Sequence, residues 1–453
     1  MMIKTKNIAT MLLMVFTMPS CTDYLHIDPP KTELVRESVF SDDASALTAM
    51  EAVYGMLQSG HYLTDYGRNA GNITGASADE FNFVYNTNGF VENMLDPADE
   101  IIQQIWTTSY RSIYSCNAVL EGIQENSRLS EAVKRQLEGE SLFLRALNYF
   151  YLVNLFGDVP LLMATAYQQN ALADRDPEEV VYDQIILDLT KAKDLLPVDF
   201  TSGNGQRTRA TTWAASALLA RVYAYNELWG QTEVEASRVI GQNGLFKWGM
   251  LDELFLANNV EAIWQIYPSL DLKQANEALL TYNNTYSRAF TTVTPDFLLQ
   301  IEVDDPRKKA WFARREDYTY SVKYKAFINN ESPYSEYSTI LRLSEQYLLR
   351  AEACVWLNNI AGGLNDLNSV RARAGVPQKN TNDKEELLHA IRDERRIELF
   401  GEYAHRWFDL KRWGLANKVL GALKPTWTPE AALYPIPEKE LLKNPNLTQN
   451  EGY

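Results

Sequence analysis

DERRIELFGEYAHRWFDLKRW, Asp393–Trp413, is the stretch whose reading decides the fold. Ile391, Arg395, Ile397 and Leu399 alternate with acidic and basic neighbours at helical spacing, which gives a charged amphipathic helix. Gly401 interrupts it, and a second short segment follows that crowds Trp407, Phe408, Leu410 and Trp413 beside Arg406, Asp409, Lys411 and Arg412. Such a cluster is either a ligand platform or a packed hinge between two parts of the chain. Helical aromatic stripes are core more often than site, so the spacing favours packing.

Working upstream, Thr339–Arg373 carries LRLSEQYLLRAEACVWLNN, then Gly362-Gly363, then LNDLNSVRARAG, a helix–turn–helix unit of tetratricopeptide character. Thr211–Trp229, with its AASALLARVYAY, and Glu233–Gln242 form a second alanine-rich pair. Pro177-Glu178-Glu179 opens a helix that closes at Pro197. Ile101–Asn126 and Ser130–Phe156 are longer. The run SLFLRALNYFYLVNLFGDVPLL, residues 141–162, is apolar on nearly every face and belongs at the centre of a bundle, with Gly157 and Pro160 ending it. Ser41-Asp42-Asp43 supplies an N-cap and acidic first turn for a helix to about Ser59.

Two stretches lose this periodicity. Gly60–Pro97 strings together Tyr62, Tyr66, Phe81, Phe83, Tyr85 and Phe90 among Asn, Asp, Thr and Gly. Leu245–Ser338 holds strand candidates at Val260–Tyr267 and Ser321–Ile328, with Tyr282, Tyr286, Phe290, Trp311 and Phe312 in a loop-rich insert between them. Irregular segments of this length inside a compact protein are functional or disordered, and disorder has no need of so many rings. The expected ligand-contacting residues are Tyr66, Arg68, Asn69, Asn72, Phe83 and Tyr85 from the first stretch, and Tyr282, Tyr286 and Trp311 from the second.

Residues 1–21, MMIKTKNIATMLLMVFTMPSC, read as a secretory signal: a basic start, then an apolar run too short to span a bilayer as a mature helix. Cys21 stands where a lipoprotein cysteine would be modified, although Met18-Pro19-Ser20 departs from the usual pattern. Residues 21–40 form a lipidated tether in which Pro29-Pro30 forbids helix. The remainder, 41–453, reads as one domain. Its helical scaffold occupies about 41–59, 98–242 and 339–420, its irregular ligand-side loops about 60–97 and 245–338, and its extended tail about 425–453.

The 453 residues are 46% hydrophobic, ample for a large core, and include 25 Tyr and 10 Trp. Rings set among Asn, Ser and Thr suit a wet recognition surface, where they give contact area and hydroxyls give hydrogen bonds. A formal charge of −16, which becomes −18 once Lys4 and Lys6 leave with the signal, repels phosphate backbones and argues against nucleic acid. Three cysteines, Cys21, Cys116 and Cys354, cannot make a disulfide framework. The four histidines, His26, His61, His389 and His405, show no metal-ligand spacing, and no HExxH, CxxC, GxSxG, P-loop or GxGxxG occurs. Asn86-Thr87-Asn88-Gly89 lacks the later Glu of a calcium loop. No metal, cofactor or catalytic residue is assigned. Asp79-Glu80, an acidic pair inside the first aromatic loop, is read as loop-stabilising ahead of sugar- or cation-binding.

ERRIELFGEYAHRWFDLKRWG resembles the C-terminal signature of the SusD/RagB family of outer-membrane lipoproteins. The other pieces occur in that family's order: the cysteine, SLFLRALNYFYLVNLFGDVPLL, RATTWAASALLARVYAY, ILRLSEQYLLRAEACVWL with LNSVRARAG, and the closing PIPEKELLKNPNLTQNEGY. The resemblance implies an all-α fold of about four tetratricopeptide-like helix pairs with an irregular, ligand-bearing insert. It also implies a surface lipoprotein, lipid-anchored in the outer membrane, that captures glycan, or in RagB relatives peptide, and delivers it to a SusC-like TonB-dependent transporter. A secreted glycoside hydrolase on helical hairpins and a ligand-free assembly scaffold remain as readings of a different class.

Overall fold

The computed structural model describes residues 39–58, 61–64, 69–84, 88–124, 126–268, 275, 277, 291–315, 317–325 and 336–453. The helices of eight residues or more are α1 (Asp43–Met56), α2 (Ala70–Ser77), α3 (Glu100–Ile123), α4 (Glu131–Phe156), α5 (Glu178–Leu195), α6 (Thr212–Tyr225), α7 (Trp229–Ile240), α8 (Leu343–Trp356), α9 (Ile360–Ala374), α10 (Lys384–Glu398), α11 (His405–Arg412) and α12 (Ala416–Leu423). Their starts follow local chemistry. Asp42, Asn69, Asp99, Ser130, Thr211, Asn359 and Asp383 each accept a first-turn backbone N–H with a side-chain oxygen.

From α3 to α10 the helices pack in chain order as four pairs, α3–α4, α5–α6, α7–α8 and α9–α10, each on the next. The α4 helix is buried on almost every face from Leu137 to Phe156 and forms the centre that its apolar run predicts. Buried arginine–carboxylate pairs tie the layers together. Arg145 of α4 grips Asp188 of α5 at 2.7 Å, and Arg221 of α6 grips Glu345 of α8 at 2.6 Å. Among the described residues no helix is long and apolar enough to cross a membrane.

The strands are short and pair at long range: β1 (Phe81–Phe83) with β3 (Thr291–Val293), β2 (Ala262–Ile266) with β6 (Ser338–Arg342), and β4 (Phe312–Arg315) with β5 (Tyr318–Ser321), all antiparallel. The structure corrects the sequence reading here. The stretch 60–97 is not irregular throughout, for it contains α2, β1 and a short helix at Asn88–Glu92. Every residue of α2 is buried, so no face is left polar and the 3.6-residue period that marks a surface helix is absent. The strand expected at 321–328 lies earlier, at β5, and pairs with residues read as loop; 326–328 fall outside the described residues. Ser338–Arg342 is a strand that leads into α8, since its five residues are all buried against β2. The C-terminal tail, expected to be extended, holds a 3-10 turn at Pro429–Ala432 and a six-residue helix, Glu438–Lys443.

Candidate functional site

The signature stretch folds as α10, a turn, and α11, with Gly401 at the turn in the left-handed region (φ +67°). A Cβ on Gly71 would overlap the Gly401 carbonyl oxygen, and one on Gly401 would meet the Phe81 ring at 2.9 Å. The turn therefore presses directly on α2 and β1. Its rings are a packed hinge: Trp407, Phe408 and Leu410 are buried, and only Trp413 is part-exposed.

Several charges of the stretch, Glu394, Arg395, Glu398, Glu402 and Asp409, are buried too. Glu398 receives Arg307, Arg342 and Arg373, while Glu394 receives Arg307 and Arg371. Arg342 also holds Glu261 and Glu402. Lys323 donates at 2.9 Å to the Glu398 and Phe400 carbonyls and at 2.7 Å to Glu402. Burial alone would raise the Glu398 carboxyl, but the guanidiniums of Arg373, Arg342 and Arg307 outweigh it and hold it well below the usual range. Glu261, Arg307 and Lys323 belong to the 245–338 segment and the rest to the scaffold, so this network fixes one to the other.

Asp79 and Glu80 also meet the turn. Asp79 accepts a bidentate grip from Arg406 (2.7 and 2.8 Å) and a 2.7 Å bond from Arg396. Glu80 faces the Gly401 N–H. Both acids are buried and engaged by the scaffold, as a loop-stabilising pair would be. Burial, and next the charge of Asp79, push the Glu80 carboxyl up to about 8. A glutamate that ionises in its ordinary range when unfolded, and only near 8 when folded, contributes stability below that ordinary range. The contribution is lost as pH rises through 8. Urea titrations of Glu80→Gln and the parent chain at pH 5 and pH 9 are expected to show the variant gaining a few kcal/mol relative to the parent at the higher pH. A gap independent of pH would show that Glu80 ionises normally.

Backbone pairing beside this turn sets the geometry of the insert. In the β1–β3 ribbon Phe83 faces Thr291, and Thr294 closes the other end with its N–H on the Glu80 carbonyl (3.0 Å) and its hydroxyl on the Asp79 carbonyl (2.7 Å). The C-terminal end of β1, Phe83, and the N-terminal end of β3, Thr291, therefore lie at the same end of the ribbon. β5 lies against β3. The β4–β5 hairpin sets Tyr318 opposite Arg315 and Tyr320 opposite Ala313, all on one face, with the two half-buried tyrosine rings 6.2 Å apart. A base for the insert is supplied by Glu277, whose carboxylate accepts the Tyr403 hydroxyl and the Ser338 hydroxyl, both at 2.7 Å.

A cleft of about 660 Å³ lies at the end of β2, lined by Tyr267, Gln206, Tyr54 and the end of α1. The Tyr267 ring rests on Tyr337 at 5.0 Å, and the Tyr337 hydroxyl donates to Gln206.

Of the residues expected from sequence, Cys21, Tyr66, Arg68, Tyr85, Tyr282 and Tyr286 lie outside the described residues. Phe83 is half-buried in the ribbon. Asn69 caps α2 by accepting the Asn72 N–H at 3.1 Å, and both asparagines are buried. Trp311 requires correction as a stacking platform. It is fully buried, its indole N–H bonds the Leu251 carbonyl, and the Lys323 ammonium sits 4.1 Å from its ring centre. Tryptophan in a loop-rich insert reads the same whether it packs the insert or faces out. Sequence reasoning missed Tyr318, Tyr320 and Tyr267; the alternation Tyr-Thr-Tyr at 318–320 was the available signal.

Residues 23–224 match a SusD-like family described as "Starch-binding associating with outer membrane", and residues 316–429 match the SusD family itself. The chain belongs to the SusD/RagB family. SusD-like protein P25 of Formosa agariphila is 26% identical over 99% of this chain and 100% of that relative. A SusD superfamily protein from Parabacteroides distasonis superposes with a TM-score of 0.79 at 22% identity, covering 93% of this SusD-like chain and all of that one. A laminarin-binding SusD-like protein superposes with a TM-score of 0.76 at 23% identity, covering 91% and 100%. At these identities the superpositions establish the fold, which is that of the SusD superfamily.

Proposed function

We propose that this chain is a cell-surface nutrient-binding lipoprotein, anchored in the outer membrane through Cys21, that captures oligosaccharide and hands it to a SusC-like TonB-dependent transporter. The observation that carries this reading is the β1–β3 register. It brings Phe83 opposite Thr291, with β5 and its half-buried Tyr318 and Tyr320 against β3. Sugar recognition needs rings for the apolar C–H faces and neutral polar groups for the hydroxyls. Tyr267 with Gln206 offers the same combination nearby in sequence to the insert. The starch-binding description of the family and the laminarin-binding relative support glycan as the cargo class. The helix pairs α3 to α10 would face the transporter, while Tyr66, Arg68, Tyr85, Tyr282 and Tyr286 remain proposed contacts. Binding and delivery need no catalytic residue.

Affinity electrophoresis of the chain from Thr22, through gels containing starch, laminarin and other glycans, tests the reading. One glycan is expected to retard it. Tyr318→Ala and Tyr320→Ala are each expected to weaken that retardation about tenfold, which corresponds to ~1.4 kcal/mol for a lost stacking ring. Passage unretarded through every gel would overturn glycan capture and transfer the weight to peptide cargo.

A further inference from the structure

The outward side of the signature stretch encloses a cavity of about 420 Å³ that is separate from the ribbon and from the Tyr267 cleft. Residues at i, i+3 and i+7 of α10 (His389, Arg392, Arg396) form one wall, Arg406, Leu410 and Trp413 a second, and Lys418 with Val419 of α12 a third. In a chain of net charge −16, four cations thus converge on one concavity.

Their hydrogen bonding is incomplete. Arg396 and Arg406 spend donors on Asp79, the buried floor, but the Arg396 Nε has no partner among the described residues. Arg392 makes no hydrogen bond or ion pair within the described residues. Its guanidinium lies 5.3 Å from the Trp413 ring centre, and its Nε is buried and unpartnered. Unmet buried guanidinium donors are costly unless something fills them, and a planar carboxylate or a sulfate fits the guanidinium fork. Asp296 and Asp393 also line the cavity, but both are exposed at its rim. The opposite wall, Leu410, Trp413 and Val419, is apolar.

We infer that this cavity is a second ligand site, taking an acidic sugar residue whose carboxylate or sulfate is held by Arg392, Arg396 and Lys418 and whose apolar face rests on the α11–α12 wall. The sugar part rests on the proposed glycan function; the anion part stands on the cavity alone. The chain thereby discriminates charged from neutral glycans at a place other than the Tyr318–Tyr320 face.

Isothermal titration calorimetry of the chain from Thr22 tests this with trigalacturonate, maltotriose, sodium sulfate and an acidic peptide, Asp-Glu-Asp. Trigalacturonate is expected to bind with an affinity that falls steeply as salt rises from 50 to 500 mM. Arg392→Gln is expected to weaken it at least tenfold. Lys418→Gln, at an exposed position that cannot disturb the fold, is expected to weaken it about threefold. Unchanged affinity in both variants, or no binding at all, overturns the site. Equal affinity for sulfate or tighter binding of the peptide overturns the sugar assignment, in favour of a simple anion site or a protein partner respectively. Retardation by a neutral glycan gel with no trigalacturonate binding retires this inference and leaves the proposed function standing.

Discussion

Replacing Glu398 by alanine lowers the stability of the fold by about 3–5 kcal/mol, the cost of stranding buried charges when one partner of a buried pair is removed. The carboxylate is fully buried and is shared by Arg307, Arg342 and Arg373, so its loss leaves three guanidiniums short of their counter-charge at once. Urea midpoints at constant slope measure the effect. Glu131→Ala is the contrast. Its partner Lys134 is a helix neighbour on an exposed surface, and the change is expected to stay within about 0.5 kcal/mol. A loss at Glu398 as small as that would mean the network is not a stabilising unit. The pH sign follows from the depressed carboxyl. The contribution of Glu398 is complete above the ordinary glutamate range and is lost only as pH falls through its lower folded value. Glu398→Gln is accordingly expected to blunt the acid limb of the parent's stability curve. Because Arg307 and Lys323 come from the insert, both variants should also loosen the insert ahead of the helix pairs, visible as faster amide exchange in residues 305–325.

Trp407→Ala is expected to cost a similar 3–5 kcal/mol, the usual penalty for emptying a large buried aromatic site. The ring has no exposed surface and lies 6.0 Å from both the Trp427 and Tyr434 rings, joining the hinge to the C-terminal tail. Its indole N–H has no partner among the described residues, so Trp407→Phe removes an unmet donor together with part of the ring and should cost well under half as much. Trp413 is half-exposed, though its N–H bonds Glu352 at 2.8 Å, and Trp413→Ala should cost less than Trp407→Ala. Thermal melts of the three variants decide between a hinge and a platform. If Trp407→Ala melts like the parent but loses glycan retardation, the ring is a binding surface and the packed-hinge account fails.

The helices were legible because their causes are local. Asp42, Ser130, Thr211 and Asp383 cap where they stand, Gly157 and Gly401 break where a positive φ is needed, and the apolar run of α4 declares its own burial. The long-range pairings left no such trace. β1 meets β3 across some two hundred residues of intervening chain, and three-residue strands have too little alternation to announce themselves. Trp311 was read as a surface ring because composition places a tryptophan in the insert without saying which way the insert folds over it.

By itself, then, the sequence determined the order of the scaffold helices other than α2, their caps and breaks, and through the signature at 393–413 the family. Those depend on neighbours within a few residues. Which face each element turns inward was decided only by the tertiary structure. Glu394, Arg395 and Glu398 carry charges that ordinarily mark a solvated face, yet they are buried: arginines from α9, β6 and the insert neutralise the two glutamates, and Asp409 neutralises Arg395. The pairing of 81–83 with 291–293 likewise sets Phe83 opposite Thr291, since strand register is a contact between sequences that neither strand encodes alone.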